Sequence, residues 1–171
     1  ISPIETIKNV ELGQPIPINI ENGISAMAMA QLNGVSANEI REGMRTYGGV
    51  DRRFDFKVMN SKHVVLSDYA HHPKEILQSA KSLKELYADR KVTVIFQPHL
   101  YTRTRDFYKE FADALSFFDE VILTEIYPAR EEPIEGVTSA LIFDNLKAGI
   151  EKQLIVKDEV LNFVKSRDFD V

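Results

Sequence analysis

Ser67-Asp68-Tyr69-Ala70-His71-His72-Pro73-Lys74-Glu75 sets two carboxylates, a phenol, two imidazoles and an ammonium side by side. The apolar run His63-Val64-Val65-Leu66 stands before it and has the composition of a buried strand. Behind it Pro73 falls where a helix starts, and Ile76, Leu77, Ala80, Leu83 and Leu86 recur at helical spacing. The first turn of a helix has no use for the N–H that proline lacks. The polar cluster therefore belongs on a strand-to-helix turn, at the carboxyl end of a strand. In open α/β sheets ligands bind at that edge.

Downstream the alternation continues. Lys91–Phe96 predicts a buried strand, Thr102–Phe118 a helix, Glu120–Thr124 a strand, Leu154–Val156 a short strand, and Asp158 a cap for a helix through Lys165. Thr138 is expected to cap a helix that ends before Gly149, and one more strand is expected to begin at Phe169-Asp170-Val171. Upstream, residues 53–67 alternate around the turn Asn60-Ser61 and predict an antiparallel hairpin. Strands alternating with helices require right-handed crossovers. The fold class is α/β, a mostly parallel open sheet with helices on both faces and a hairpin at its start.

Residues 1–50 have a different pattern. Pro15–Ile20 alternates proline or asparagine with isoleucine and is expected to be extended, an edge strand at most. Gly23–Ala30 predicts a small-residue helix, stopped by Gly34. Ser36 with Glu39 forms a capping-box signature for a second helix, Ala37 to about Tyr47, ended by Gly48-Gly49. A domain boundary is placed near residue 50.

The 171 residues contain no cysteine, so disulfides and thiolate metal sites are excluded and a reducing compartment is the natural setting. A net charge of −5 argues against a broad nucleic-acid surface. No apolar run approaches the ~18 residues of a membrane span, and the start at Ile1 is expected to be a cut from something longer.

Three polar clusters follow three successive strands: Asp68–Lys74, Gln97–Arg105 and Glu125–Glu131. Parallel strands point their carboxyl ends one way, so the clusters should rim one crevice. Turns are polar in any fold, but that does not account for two arginines and a histidine in the second cluster beside His71 and His72 in the first. Arg103 and Arg105 fall in a helix's first turn, where the dipole favours anions, and a guanidinium fork suits a carboxylate or phosphate. Arg105 also has Asp106 beside it for a local ion pair, which leaves Arg103 the stronger candidate. Adjacent histidines point their rings apart, and no two lie four apart on a helix, so no protein-held transition metal is expected. Arg52-Arg53 is either a solvated turn or a phosphate contact. There is no Gly-x-x-x-x-Gly-Lys-Ser/Thr loop.

Asn19-Ile20-Glu21-Asn22-Gly23, Gly49-Val50-Asp51-Arg52-Arg53-Phe54, Asp68-Tyr69-Ala70-His71-His72-Pro73, Phe96-Gln97-Pro98-His99-Leu100-Tyr101-Thr102-Arg103-Thr104-Arg105-Asp106 and Tyr127-Pro128-Ala129-Arg130-Glu131-Glu132-Pro133 together resemble the Mur ligases, which build peptidoglycan precursors. The resemblance implies a three-domain cytoplasmic enzyme. Residues 1–50 would end its central, ATP-binding domain, and 51–171 would form a Rossmann-like C-terminal domain, truncated at its end. It implies ATP and Mg2+ as cofactors, the magnesium held mainly by the absent central domain. It implies UDP-N-acetylmuramate and L-alanine as substrates, and the absent N-terminal and central domains as partners. The family reaction phosphorylates the lactyl carboxylate, and the amine then attacks the acyl phosphate. Asn19, Asn22, Arg53 and Asp68 match the nucleotide positions, with Arg53 on the phosphates and Asp68 on the ribose. Tyr69, His71, His99 and Arg103 match the pocket for the amino-acid or peptide carboxylate. Where the family commonly has arginine after the histidine of the second cluster, this chain has Leu100. A related ligase that re-attaches a recovered murein tripeptide shares the Asp68–Pro73 turn. A reading of another class is a stand-alone module that binds a nucleotide or peptide carboxylate without chemistry, and a third is a metal hydrolase on His71, His72 and His99. By itself the stretch is expected to show no ligase turnover.

Overall fold

The computed structural model describes residues 6–12 and 17–171. Two compact units meet in sequence between Asp55 and Phe56.

In the first unit, Pro17 opens helix α1 (Pro17–Leu32). Residues 17–20, expected to be extended, are thus the helix's first turn, where proline's fixed φ fits; Pro15 and Ile16 lie outside the described residues. A six-residue alternation is too short to separate the two periods, and the helix continues into the small-residue run. Helix α2 (Ala37–Thr46) follows, with the capping box formed: the Ser36 N–H donates to Glu39 Oε2 at 3.0 Å and the Glu39 N–H to Ser36 Oγ at 3.4 Å. Gly23 is buried where a Cβ would lie 2.9 Å from Met44 Cε, so a larger residue would displace the end of the Met44 side chain. The turn bearing Arg52 and Arg53 goes with this unit. Its Arg53 N–H returns to Val50 O at 3.0 Å, and its Arg52 N–H reaches Asp55 Oδ2 at 3.2 Å.

The second unit starts in the hairpin of β1 (Asp55–Met59) and β2 (Val64–Ser67), closed by the Asn60 N–H on His63 O at 3.0 Å. Asn60 Oδ1 accepts from the N–H groups of Lys62 and His63 and so shapes the turn. Helix α3 (Pro73–Leu86) follows, then β3 (Thr93–Phe96), α4 (Tyr101–Leu115), β4 (Glu120–Leu123), α5 (Ala140–Asn145), β5 (Glu151–Leu154), a 3-10 turn at Lys157–Glu159 and α6 (Val160–Lys165). Strands β3, β4 and β5 form a parallel sheet in that order, with Thr93 opposite Glu120 and Glu120 opposite Glu151. The N-cap of α5 is Ser139, one residue after the expected Thr138, whose hydroxyl oxygen accepts from the Ala140 N–H at 3.2 Å. Asp158, by contrast, sits inside the 3-10 turn and caps nothing.

The chain's last residues tie hairpin to sheet. The Val64 N–H donates to Asp170 O at 3.0 Å, the Thr93 N–H to Val171 O at 2.8 Å, and the Val171 N–H to Lys91 O at 3.2 Å. Asp170-Val171 therefore lies between β2 and β3, hydrogen-bonded to both and in the parallel sense to β3. Arg90 fastens it, its Nε on the Asp170 carboxylate and its Nη2 on Asp170 O at 2.9 Å. Right-handed crossovers place α3, α4 and α5 on one face, and α3 packs on α4 and α4 on α5. The return from β5 to the tail runs the other way across the sheet and puts α6 on the opposite face. Val121, Ile122 and Leu123 are fully buried with Phe111, Leu115 and Ile142. A strand buried on both faces is apolar at every position, and β4 has that composition after its first residue.

Candidate functional site

The strand-to-helix turn after β2 is locked by Glu75. Its carboxylate accepts from the backbone N–H groups of His71, at 2.9 Å, and His72, at 3.1 Å. Burial by itself would raise the Glu75 pKa, but these donors outweigh it and hold the group below the usual carboxylate range. With the backbone pinned, the two histidines diverge. The His72 ring packs on Phe107, centroids 5.3 Å apart, and is a structural residue. The His71 ring turns toward the crevice, its Nδ1 2.9 Å from Tyr69 O. A carbonyl only accepts, so Nδ1 carries the proton and Nε2 is the basic nitrogen.

The second turn, after β3, brings His99 and Arg103. Arg103 Nη1 lies 3.4 Å from His71 O and 3.4 Å from His99 Nδ1. The third turn, after β4, brings Tyr127, stacked on His99 at 5.4 Å between centroids. Its backbone continues the sheet pairing past the strands: the Tyr127 N–H donates to Pro98 O at 2.8 Å and the Leu100 N–H to Tyr127 O at 2.9 Å. Tyr69 meets His71 edge-on at 5.2 Å, and His71 meets His99 at 6.5 Å. The result is a ladder of four rings, Tyr69, His71, His99 and Tyr127, drawn from three turns with Arg103 alongside.

Burial first, then the Arg103 guanidinium and His71, pushes the His99 pKa below its ordinary value, so its ring is neutral at pH 7. The ladder thus offers one fixed cation, a neutral His99 ring, the Nε2 of His71 and an aromatic wall. Such a site suits a small zwitterion, its carboxylate on the guanidinium and its ammonium toward acceptor nitrogen.

Of the residues singled out from sequence, Asp68, Tyr69, His71, His99 and Arg103 lie in this unit on neighbouring turns. Asp68 is exposed at the end of β2 and accepts from the Ser79 hydroxyl of α3. It borders a groove of about 270 Å³ between β2 and β3, lined by Leu66, Val94 and Phe96 among others. Arg105 pairs with Asp106, Nε to Oδ1 2.7 Å, and faces solvent. Asn19, Asn22 and Arg53 belong to the other unit. The two asparagines are three residues apart on α1 and share a face, and Arg53 is exposed in its turn. Among the described residues no three His, Asp or Glu side chains gather into a metal cluster, and no helix is long and apolar enough to cross a membrane. Tyr127 and Glu131 were legible as members of a polar loop and of the Tyr127–Pro133 motif, but not as site residues. Their contacts, with His99 and with the first turn of α4, depend on β4 lying beside β3.

Residues 52–168 match the family described as Mur ligase, glutamate ligase domain. The chain belongs to the Mur ligase family. The UDP-N-acetylmuramate–L-alanine ligase of Phocaeicola vulgatus is 60% identical to this Mur ligase chain over 171 residues, which is all of the chain and 37% of that protein. The same-named protein of Parabacteroides distasonis is 54% identical over the same shares. The crystal structure of UDP-N-acetylmuramate–alanine ligase from Thermotoga maritima superposes with a TM-score of 0.75 at 30% identity, covering 94% of this chain and 34% of that one. Folylpolyglutamate synthase of Mycobacterium tuberculosis, solved with ADP, gives a TM-score of 0.70 at 18% identity over 94% of this chain and 35% of that one, a likeness of fold alone. The chain spans little more than a third of the length of the relatives it matches.

Proposed function

We propose that this chain is the amino-acid-binding part of a cytoplasmic, ATP-dependent ligase that joins L-alanine to the lactyl carboxylate of UDP-N-acetylmuramate. The observation that carries the reading is the Arg103 guanidinium standing 3.4 Å from His99, inside a ring ladder built from three turns. In this reading Arg103 takes the alanine carboxylate. Nε2 of His71 accepts from its ammonium and favours the free amine that must attack, while His99, its Nδ1 facing the guanidinium, holds Arg103 in place. Tyr127 and Tyr69 wall the pocket. The relatives' names support alanine and the UDP-sugar as the substrates.

ATP would supply the phosphoryl group that activates the carboxylate. The residues suited to it are the exposed Asp68 carboxylate for ribose hydroxyls, Arg53 for phosphate, and the shared face of Asn19 and Asn22 for the base. Mg2+ has no matching donor cluster among the described residues. Its ligands are assigned mainly to the central domain of the complete enzyme, and the UDP-sugar site to the N-terminal domain.

The test is phosphate release by the complete enzyme containing this chain, dependent on both alanine and UDP-N-acetylmuramate. Arg103→Ala is expected to raise the alanine KM by roughly 10- to 100-fold, the worth of a charge-assisted pair, and to leave the ATP KM in place. Turnover with the murein tripeptide and not with alanine would replace this reading with that of the recycling ligase.

A further inference from the structure

Helix α4 opens without a capping side chain of its own. Its N-cap is Leu100, aliphatic and held at φ 74°, ψ 133°, a conformation that L side chains seldom adopt. The first N–H groups of a helix need acceptors, and here one is supplied from elsewhere in the fold. Glu131, in the loop after β4, places Oε2 2.9 Å from the Thr102 N–H and Oε1 against the Thr102 hydroxyl. The loop is itself braced, with the Glu131 N–H on Pro128 O at 2.9 Å and Tyr127 O taking the Leu100 N–H at 2.9 Å. Hydrogen bonds from Thr102, hydroxyl first, hold the Glu131 pKa below the usual carboxylate range, so the cap is an anion.

Two consequences follow. The positive end of α4 is already matched by a carboxylate of the protein, which leaves Arg103 as the group to take an incoming anion. And Thr102, clamped by Glu131, is the residue next to Arg103, whose guanidinium must stay between His71 O and His99 Nδ1.

We infer that Glu131 is a positioning residue: it replaces the absent cap of α4 and sets the orientation of Arg103, and with it the affinity for the amino-acid carboxylate. This rests on the reading above that Arg103 takes that carboxylate.

Two measurements test it. On the 171-residue chain, Glu131→Ala should speed amide hydrogen exchange at Thr102 and Arg103 by about 10-fold while leaving Val121–Leu123 unchanged. In the complete enzyme, Glu131→Ala should raise the alanine KM by roughly 10-fold with kcat and the ATP KM within about 3-fold. Glu131→Gln, which keeps an acceptor oxygen for the Thr102 N–H, should recover most of the alanine affinity. Should Glu131→Ala fail to fold, Glu131→Gln decides, with an expected rise in alanine KM of about 2- to 4-fold from the lost charge. Unchanged exchange at Thr102 overturns the inference. So does an alanine KM that stays at the wild-type value while exchange accelerates, or a fall in kcat and in ATP affinity to match the alanine effect. A wild-type enzyme that does not use alanine overturns the proposed function instead, and the exchange data then judge the helix-positioning role alone.

Discussion

At His99 three neighbours act on one ring: Arg103 at its Nδ1, Tyr127 against its face, and His71 across the crevice. Burial is the largest cause of its lowered pKa and Arg103 the next. The folded state thus binds its proton less readily than the unfolded chain, whose histidines titrate near 6.5. The sign is fixed by that inequality. This residue costs no stability above pH ~6.5, and its contribution turns unfavourable as pH falls below that value, because unfolding then takes up a proton. Among the chain's four histidines, NMR titration should give His99 a pKa below 6.5. Arg103→Ala should raise it without bringing it fully back, since burial remains. A His99 value unmoved by Arg103→Ala would show that the guanidinium does not sit where the structure places it.

Among the elements, α4 carries the site and is anchored from below. Phe111 and Leu115 are fully buried, Phe96 of β3 meets Phe111 at 5.6 Å between ring centroids, and the helix packs on both α3 and α5. Phe111→Ala is expected to cost about 3–5 kcal/mol, read as a lower urea midpoint with an unchanged m-value. A loss under 1 kcal/mol would mean the α4–sheet interface is not packed as described. The helix was legible in the sequence because its apolar residues recur at 3.6. Its ends were less so. Tyr101 begins it one residue before the expected Thr102, and it stops at Leu115, where the Ser116 hydroxyl bonds back to Ala112 O at 2.6 Å, before the expected Phe118. Phe117 and Phe118 lie in the turn that follows, and Phe118 kept the helical period without belonging to the helix. Strand β5 came three residues earlier than its apolar run Leu154–Val156 predicted. It is paired by register, Glu120 to Glu151 and Leu123 to Leu154, and at an edge polar residues pair as readily as apolar ones.

For the second unit taken whole, two carboxylates at the sheet's amino end add to its acid sensitivity. Glu120 has a side chain only 4% exposed, yet it is ringed by Lys91 at 3.1 Å and Arg167 at 2.6 Å. Lys91 also reaches Glu151 at 2.8 Å, which ties β5 to the same network. Next to Glu120, Asp119 joins Lys84 at 2.7 Å to the Val92 N–H at 2.8 Å. For both carboxylates burial raises the pKa, and the cations and donors more than reverse it. Folded values below the unfolded ones stabilise above pH ~4.3, and the contribution disappears as pH falls through the folded values. Glu120→Gln should therefore cost about 1–2 kcal/mol at pH 7, a reduced figure for a buried charge whose partners are partly solvated. It should also flatten the loss of stability as pH falls below about 4.3. Denaturant titrations at stepped pH measure both. An equal acid slope in wild type and variant would remove Glu120 from the account.

The sequence by itself determined what short range can encode. Ser36 and Glu39 fixed a helix start, Pro73 fixed another, and the apolar periods named most strands and helices in order. It also carried the family motifs, since Asp68–Pro73 and His99–Arg103 are contiguous in the chain. Only the tertiary structure decided which of those polar groups meet. Tyr127 stacks on His99 and Glu131 caps Thr102, 29 residues away, because β3 and β4 run parallel in one register. Such contacts depend on the lateral order of strands, which no local pattern records. The same holds for Asp170-Val171: the pattern marked the start of a strand, and backbone hydrogen bonding to both β2 and β3 set its place between them.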